Sequence, residues 1–366
     1  MVKAKRDDLL GPLSAVSGII ERRHTLPILS NVLMERSGDG LSFLATDIEM
    51  QIVSKGVNAG DGESKSITVG ARKLVDILRA LPADAEVSLQ LQDKRMVVKA
   101  GRSRFTLQTL PAEDFPRLAK PAGEVARFEL PQRTLRKHLA LVQYAMAQQD
   151  IRYYLNGLLL VAGNRQLKLV ATDGHRLAYT ALALDSDVPA QEVIVPRKTV
   201  IELGKLMADV DDPVKVEVSG SQAAFSFGSV ELVSKLVDGK FPDYTRVIPT
   251  THKNRLVVER ETLKQALGRA AILSNEKFRG VRWVLTQDSL RIVSSNTEQE
   301  EAVEELEIQY KGDGLDIGFN VTYLLDVLNN VSGSEVSASF GDASSSALIE
   351  FATEPEFKYV VMPMRI

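Results

Sequence analysis

An α+β fold built three times in tandem is the class this 366-residue sequence predicts. Two observations predict it. Ala45-Thr46-Asp47 returns as Ala171-Thr172-Asp173, 126 residues on. Ala71-Arg72-Lys73 is matched by Pro196-Arg197-Lys198, and Phe115-Pro116 by Phe241-Pro242, at the same spacing within one residue. The second observation is that helix-period and strand-period segments alternate in the same order in each third of the chain. The last third repeats more faintly, with Leu290-Arg291-Ile292-Val293 answering Leu167-Lys168-Leu169-Val170. Three domains are expected, over residues 1–121, 122–250 and 251–366, with boundaries in the polar stretches around Lys120-Pro121-Ala122-Gly123 and Thr250-Thr251-His252-Lys253-Asn254.

Each unit opens with a helix, at 5–20, 131–147 and 259–273. In the third copy Leu263, Leu267, Ala270 and Ala271 form one apolar stripe. Pro131 suits a first helical position, where a missing N–H costs nothing. Strands follow, such as 41–46 and 167–172, with partial alternation of apolar and polar residues. A second helix is expected at 71–80, 197–207 and 321–329, and further strands, such as 103–110 and 230–236, end the unit. Two helices with many strands per unit predict helices packed on one face of antiparallel sheets.

The composition removes several chemistries. With no Cys there is no disulfide frame, zinc-thiolate site, iron–sulfur cluster or thiol nucleophile. The opening MVKAKRDDLL puts acids where a signal peptide needs an apolar core, and no apolar run approaches the length of a membrane span. A cytoplasmic protein without membrane contact is expected. The net charge of −3 decides nothing about nucleic acid, because only the distribution of charge matters there.

That distribution is uneven. Segment 131–147 carries Arg133, Arg136 and Lys137 with no acid; Arg72, Lys73 and Arg79 outnumber Asp76 in 71–80; Arg197, Lys198 and Lys205 outnumber Glu202 in 196–207. These are either ordinary solvated helix faces or one basic surface. If the latter, DNA is held through its backbone without base readout. Segment 94–104 has Lys94, Arg95, Lys99, Arg102 and Arg104 without an acid, whereas 298–307 has Glu298, Glu300, Glu301, Glu304, Glu305 and Glu307 without a base. Two unrelated edge strands would look like this; so would a head-to-tail contact between copies of the chain.

Catalytic signatures are missing. Phosphate loops, dinucleotide fingerprints, nucleophile elbows and zinc-protease motifs do not occur, and His24, His138, His175 and His252 are too scattered to form a local metal site. Thr172-Asp173-Gly174-His175-Arg176 could hold a general base, but Asp47 stands at the equivalent place without a His, which also allows Asp173 to belong to a turn. The Asp209, Asp211, Asp212 cluster is read as a solvated turn. Asn320-Val321-Thr322 matches a glycosylation pattern that means nothing without secretion. No catalytic residue, metal or cofactor is expected. The apolar tail, Tyr359 to Ile366, is either a last core strand or a groove of adaptable thioethers for apolar peptides.

Several strings meet in one family. Thr25 to Asn31 (TLPILSN), Ala147 to Gly157 (AQQDIRYYLNG), Ala171 to Leu177 (ATDGHRL), Val195 to Lys198 (VPRK), Ser234 to Tyr244 (SKLVDGKFPDY), Ile272 to Arg282 (ILSNEKFRGVR) and Val360 to Arg365 (VVMPMR) together resemble the bacterial sliding clamps, the β subunits of DNA polymerase III. The resemblance implies a homodimeric ring of six similar domains that encircles double-stranded DNA, slides without sequence preference and keeps the polymerase on its template. It implies a dimer seam in which Lys73, Arg95, Arg102, Arg104, Phe105 and Leu107 face Ile272, Leu273, Glu298, Glu300, Glu301 and Glu304, the acidic run being shifted by one residue around Val303 from the family pattern. A pocket for short partner peptides containing Gln and apolar residues is implied at Leu155, Thr172, Gly174, His175, Arg176, Leu177, Pro242, Arg246, Val247, Val360, Met362, Pro363, Met364 and Arg365. That makes His175 a wall and not a base. Ile366 is a conservative departure from the expected Leu. DNA contacts are implied for Arg23, Gln149, Tyr153 and Tyr154, together with the basic helices carrying Arg72, Arg79, Arg133, Lys137, Arg197 and Lys198. Implied partners are the polymerase III catalytic subunit, the clamp loader, translesion polymerases, mismatch-repair proteins and ligase. A non-enzymatic peptide-binding scaffold that does not encircle DNA and a nucleic-acid-modifying enzyme are the competing readings; the second would need a titratable constellation the sequence does not offer.

Overall fold

A computed structural model describes residues 2–21, 26–38, 40–58 and 64–366. Among them are six α-helices: α1 (Arg6–Ser17), α2 (Ala71–Ala80), α3 (Gln132–Val142), α4 (Arg197–Leu206), α5 (Arg260–Ile272) and α6 (Val321–Asn330). Apart from short 3₁₀ turns, the remaining regular structure is strand, paired antiparallel within three sheets. The expected α+β class, with two helices for each third of the chain, is what the structure has. No described helix is long and apolar enough to cross a membrane.

The chain divides into two compact units, Met1–Arg136 with Ile201–Leu236, and Lys137–Val200 with Val237–Ile366. The first holds a twelve-stranded sheet in which Met50–Asn58 of the first repeat pairs with Val230–Lys235 of the second, from Ser54 opposite Val230 to Met50 opposite Ser234. Helix α1 buries Leu9, Leu13 and Val16, one side of a 3.6-residue helix, against strands Gly40–Thr46 and Met50–Asn58 and against α2. It stops at Ser17, short of the expected residue 20. Gly18 follows it, a residue of low helix propensity packed beside the Glu202 carboxylate.

The second unit holds a nine-stranded sheet, in which Arg176–Ala183 pairs with the final strand Lys358–Val361, and a four-stranded sheet of Glu301–Glu307, Ser289–Ser295, Gly280–Thr286 and Leu315–Asn320. Helix α5 buries the expected stripe of Leu263, Leu267, Ala270 and Ala271 against that smaller sheet and α6. Asn320 caps α6 by accepting the Thr322 N–H at 2.9 Å, which gives the Asn-Val-Thr string a local structural use.

Two expectations for the helix at 131–147 need correction. Pro131 is the last residue of strand Ala126–Pro131, opposite Pro213 at the end of a ladder, where neither proline interrupts pairing. The helix also ends at Val142, followed by a 3₁₀ turn at Gln143–Ala145. Side chains take the carbonyls freed there: Arg176 Nη2 donates to Tyr144 O at 2.6 Å and Arg197 Nη1 to Met146 O at 3.2 Å.

Candidate functional site

The repeated Ala-Thr-Asp string forms the same turn twice. Thr46 Oγ1 donates to Met50 O at 2.8 Å and Thr172 Oγ1 to Arg176 O at 2.6 Å. Each threonine oxygen accepts the N–H two residues on, from Ile48 and from Gly174, both at 3.0 Å. Asp47 Oδ1 accepts from Glu49 and Met50, and Asp173 Oδ1 from His175 and Arg176. The residue after each aspartate, Ile48 (φ 69°) or Gly174 (φ 90°), is left-handed. Asp173 is thus a turn residue whose Oδ1 is committed to the backbone.

Beyond the second copy of this turn lies an apolar cavity of about 240 Å³. Thr172, Gly174, His175, Arg176 and Leu177 form one wall; Leu155, Pro242, Val247, Val360 and Met362 complete it. These are ten of the fourteen residues expected there. Its floor is core: Leu155, Leu177, Phe241 and Val360 are buried among Leu159, Val170, Ile194 and Leu348. Four wall residues were not anticipated, Arg152, Tyr154, Phe241 and Tyr244. Phe241 stood out as a repeat marker and as part of the Ser234–Tyr244 string, and Tyr244, stacked on Tyr179 with ring centroids 5.8 Å apart, gave no signal beyond its place in that string.

The other four expected residues lie elsewhere. Arg246 pairs with Asp243 at 2.9 Å on an exposed 3₁₀ turn. Pro363, Met364 and Arg365 follow Met362 away from the cavity, and Met364 N–H donates to Gly318 O at 2.9 Å, docking the tail on strand Leu315–Asn320.

Arg176 is nearly buried behind the wall, its side chain 9% exposed. Nε donates to Asp173 Oδ2 at 3.1 Å, Nη1 to Asp326 Oδ2 at 2.5 Å and Nη2 to Tyr144 O. The guanidinium carbon sits 4.4 Å from the Tyr323 ring centroid and 5.6 Å from that of Tyr144. Burial opposes the charge, but Tyr359, Asp326 and Asp173 outweigh it and hold the guanidinium above its ordinary pKa.

Two of the open strand edges carry the residues expected at a seam. Ser103–Leu110 is paired over 103–108 to Arg95–Ala100, but on its other side, among the described residues, only Leu110 and Thr109 pair, with Thr68 and Val69. Ser103 to Gln108 therefore present free backbone groups, beside a cavity of about 370 Å³ that Arg72, Lys73, Leu107 and Gln108 help to line. Arg95, Arg102 and Arg104 are exposed there, Phe105 half-buried and Leu107 buried. Among the described residues, Glu301–Glu307 pairs only with Ser289–Ser295. Its Glu304 turns toward α5 and pairs with Arg269 at 2.6 Å, while Glu301, Val303, Glu305 and Glu307 are exposed. Glu298 and Glu300 precede the strand, exposed; Ile272, 76% exposed, and half-buried Leu273 end α5 nearby in sequence.

Comparison with known proteins decides the family. Models of the N-terminal, central and C-terminal domains of the DNA polymerase III beta subunit match residues 2–119, 129–243 and 245–365. The beta sliding clamps of Pseudomonas aeruginosa and Escherichia coli K12 are each 46% identical, over 365 and 362 residues and 99% of both chains. The chain belongs to the beta sliding clamp family. A crystal structure of the P. aeruginosa clamp bound to griselimycin superposes with a TM-score of 0.96 at 45% identity, covering 100% of this chain and 99% of that one. The Caulobacter crescentus polymerase III beta structure gives 0.94 at 39% identity, covering 100% of both. As a sliding clamp the chain is a polymerase processivity factor with no catalytic role.

The clamp's expected DNA contacts are less uniform than their charges suggested. Arg23 lies outside the described residues. In α3, Arg133 pairs with Asp211 at 3.0 Å and Lys137 with Glu354 at 2.6 Å. Arg197 is drawn inward to Met146, where burial and then the Arg176 charge lower its pKa. Arg72, Arg79 and Lys198 are exposed, as are Gln149, left-handed at φ 55°, and Tyr153. Tyr154 belongs to the pocket wall.

Proposed function

We propose that two copies of this chain close head to tail into a ring around duplex DNA, and that each copy captures partner proteins by inserting a short peptide with apolar residues into the 240 Å³ pocket. The ring is made of six domains, three per copy, over residues 1–121, 122–250 and 251–366. At each seam the open basic edge, with Lys73, Arg95, Arg102, Arg104, Phe105 and Leu107, meets Ile272, Leu273, Glu298, Glu300, Glu301 and Glu304 of a second copy. Opposite charges select head-to-tail pairing and like charges disfavour the same edges pairing with themselves. DNA is held by enclosure. Arg72, Arg79, Arg133, Lys137, Gln149, Tyr153, Arg197 and Lys198 need only touch the phosphate backbone, and loose contacts of that kind allow sliding.

The polymerase III catalytic subunit, the clamp loader, translesion polymerases, mismatch-repair proteins and ligase share the pocket in turn. The observation that carries this reading is the convergence of ten family-pattern residues, far apart in sequence, on one apolar cavity. Val247 lines that cavity and is 44% exposed, so Val247→Asp places a charge in it without disturbing the core. Fluorescence anisotropy with a labelled synthetic peptide carrying a Gln and apolar residues should show affinity falling by about tenfold or more, since apolar burial is worth about 1.5–3 kcal/mol per side chain. Unchanged affinity would remove the pocket from the proposal.

A further inference from the structure

Residue 50 and residue 176 occupy the same place in the two copies of the Thr-Asp turn. In the first copy it is Met50, 1% exposed; in the second it is Arg176. The turn closes around either side chain with the same backbone hydrogen bonds, so its conformation does not require a cation. Placing a guanidinium at a nearly buried position is costly unless carboxylates and acceptors surround it. Here Asp173 supplies one carboxylate from within the turn, and Asp326 supplies the other from α6, 150 residues away. Helix α6 contributes no side chain to the cavity lining, yet its carboxylate and the Tyr323 ring hold the residue that backs the wall.

We infer that Asp326 is a positioning residue for the pocket: through Arg176 it fixes the turn carrying Thr172, Gly174 and His175, and so ties occupancy of the pocket to helix α6. Linkage makes this reciprocal, so a bound peptide also stiffens α6. The affinity part of the inference rests on the pocket being a peptide site; the coupling between Asp326 and the turn does not.

Two measurements on the full-length chain test it. The first is amide hydrogen exchange of Asp326→Asn, comparing the 172–177 turn with its 46–51 twin, a control within the same molecule. Exchange at 172–177 should rise by about fivefold, the scale of exchanging a charge-assisted hydrogen bond for a neutral one, with 46–51 unchanged. The second is anisotropy with the labelled Gln-containing apolar peptide. Asp326→Asn should weaken it by about fivefold, Asp326→Glu should recover to within about twofold, and in an Arg176→Met background Asp326→Asn should add less than about 1.5-fold. Exchange at 172–177 unchanged from wild type in Asp326→Asn, or additive effects of the two substitutions, would overturn the inference. A wild-type chain that ignores the peptide would sink the pocket reading alone, since the exchange comparison still decides whether Asp326 positions the turn.

Discussion

His138 lies half-buried on α3, its Nδ1 2.8 Å from the Thr180 hydroxyl. Burial, and then the neighbouring Lys137 charge, lower its pKa from 6.5, with Glu354 pulling the other way. Below pH 6.5 the unfolded chain therefore takes up a proton more readily than the folded one. The His138 contribution is present above the unfolded value and is lost as pH falls from 6.5 toward the folded value. Between about pH 7.5 and about 5.5 the wild-type Tm should drop more than that of His138→Gln; parallel drops would mean that His138 is not the titrating group. At this scale the sequence was partly readable. The recurrence of Asp47 and Asp173 exposed a turn behind the tempting Asp-Gly-His string. The partners of Arg176 were not readable, because Asp326 and Tyr323 reach it from another repeat and no local pattern announces a contact so distant in sequence.

Among the elements, the C-terminal tail is seated closely on a neighbouring strand. The Ile366 side chain occupies the space above Gly318, where an added Cβ would lie 2.7 Å from it and 2.4 Å from the Met364 carbonyl. Gly318→Ala should therefore lift the tail, at a cost of about 1–3 kcal/mol for overpacking, with faster exchange of the Met364 amide. Protection of that amide unchanged from wild type would refute the docking. The open edges give a second test. Arg102→Glu with Arg104→Glu puts like charges against the acidic edge, and sedimentation should show the dimer dissociation constant rising by about tenfold or more. An unaltered constant would exclude this edge from the seam. Helix positions were legible from apolar period, and several strands from their alternation. The pairing of Met50–Asn58 with Val230–Lys235, and of Arg176–Ala183 with Lys358–Val361, was not, since side-chain alternation identifies a strand but not its neighbour in another repeat.

For the whole molecule, the repeat and the family strings carried most of the function, because a processivity factor needs no catalytic constellation and its signature is architecture. Charge was the weaker guide. Two of the three cations counted on α3 are paired with carboxylates from outside the helix, so a net positive helix overstated the charge left for a phosphate backbone. Enclosure makes that shortfall harmless: a closed ring stays on DNA whose ends it cannot reach, however weak each contact is. The most direct measurement is retention of the chain on nicked circular DNA, before and after linearisation, once it has been loaded by the cognate clamp loader with ATP. Retention on circles with rapid loss on cutting is the predicted result. Equal retention before and after cutting would mean side-on binding and would contradict the ring.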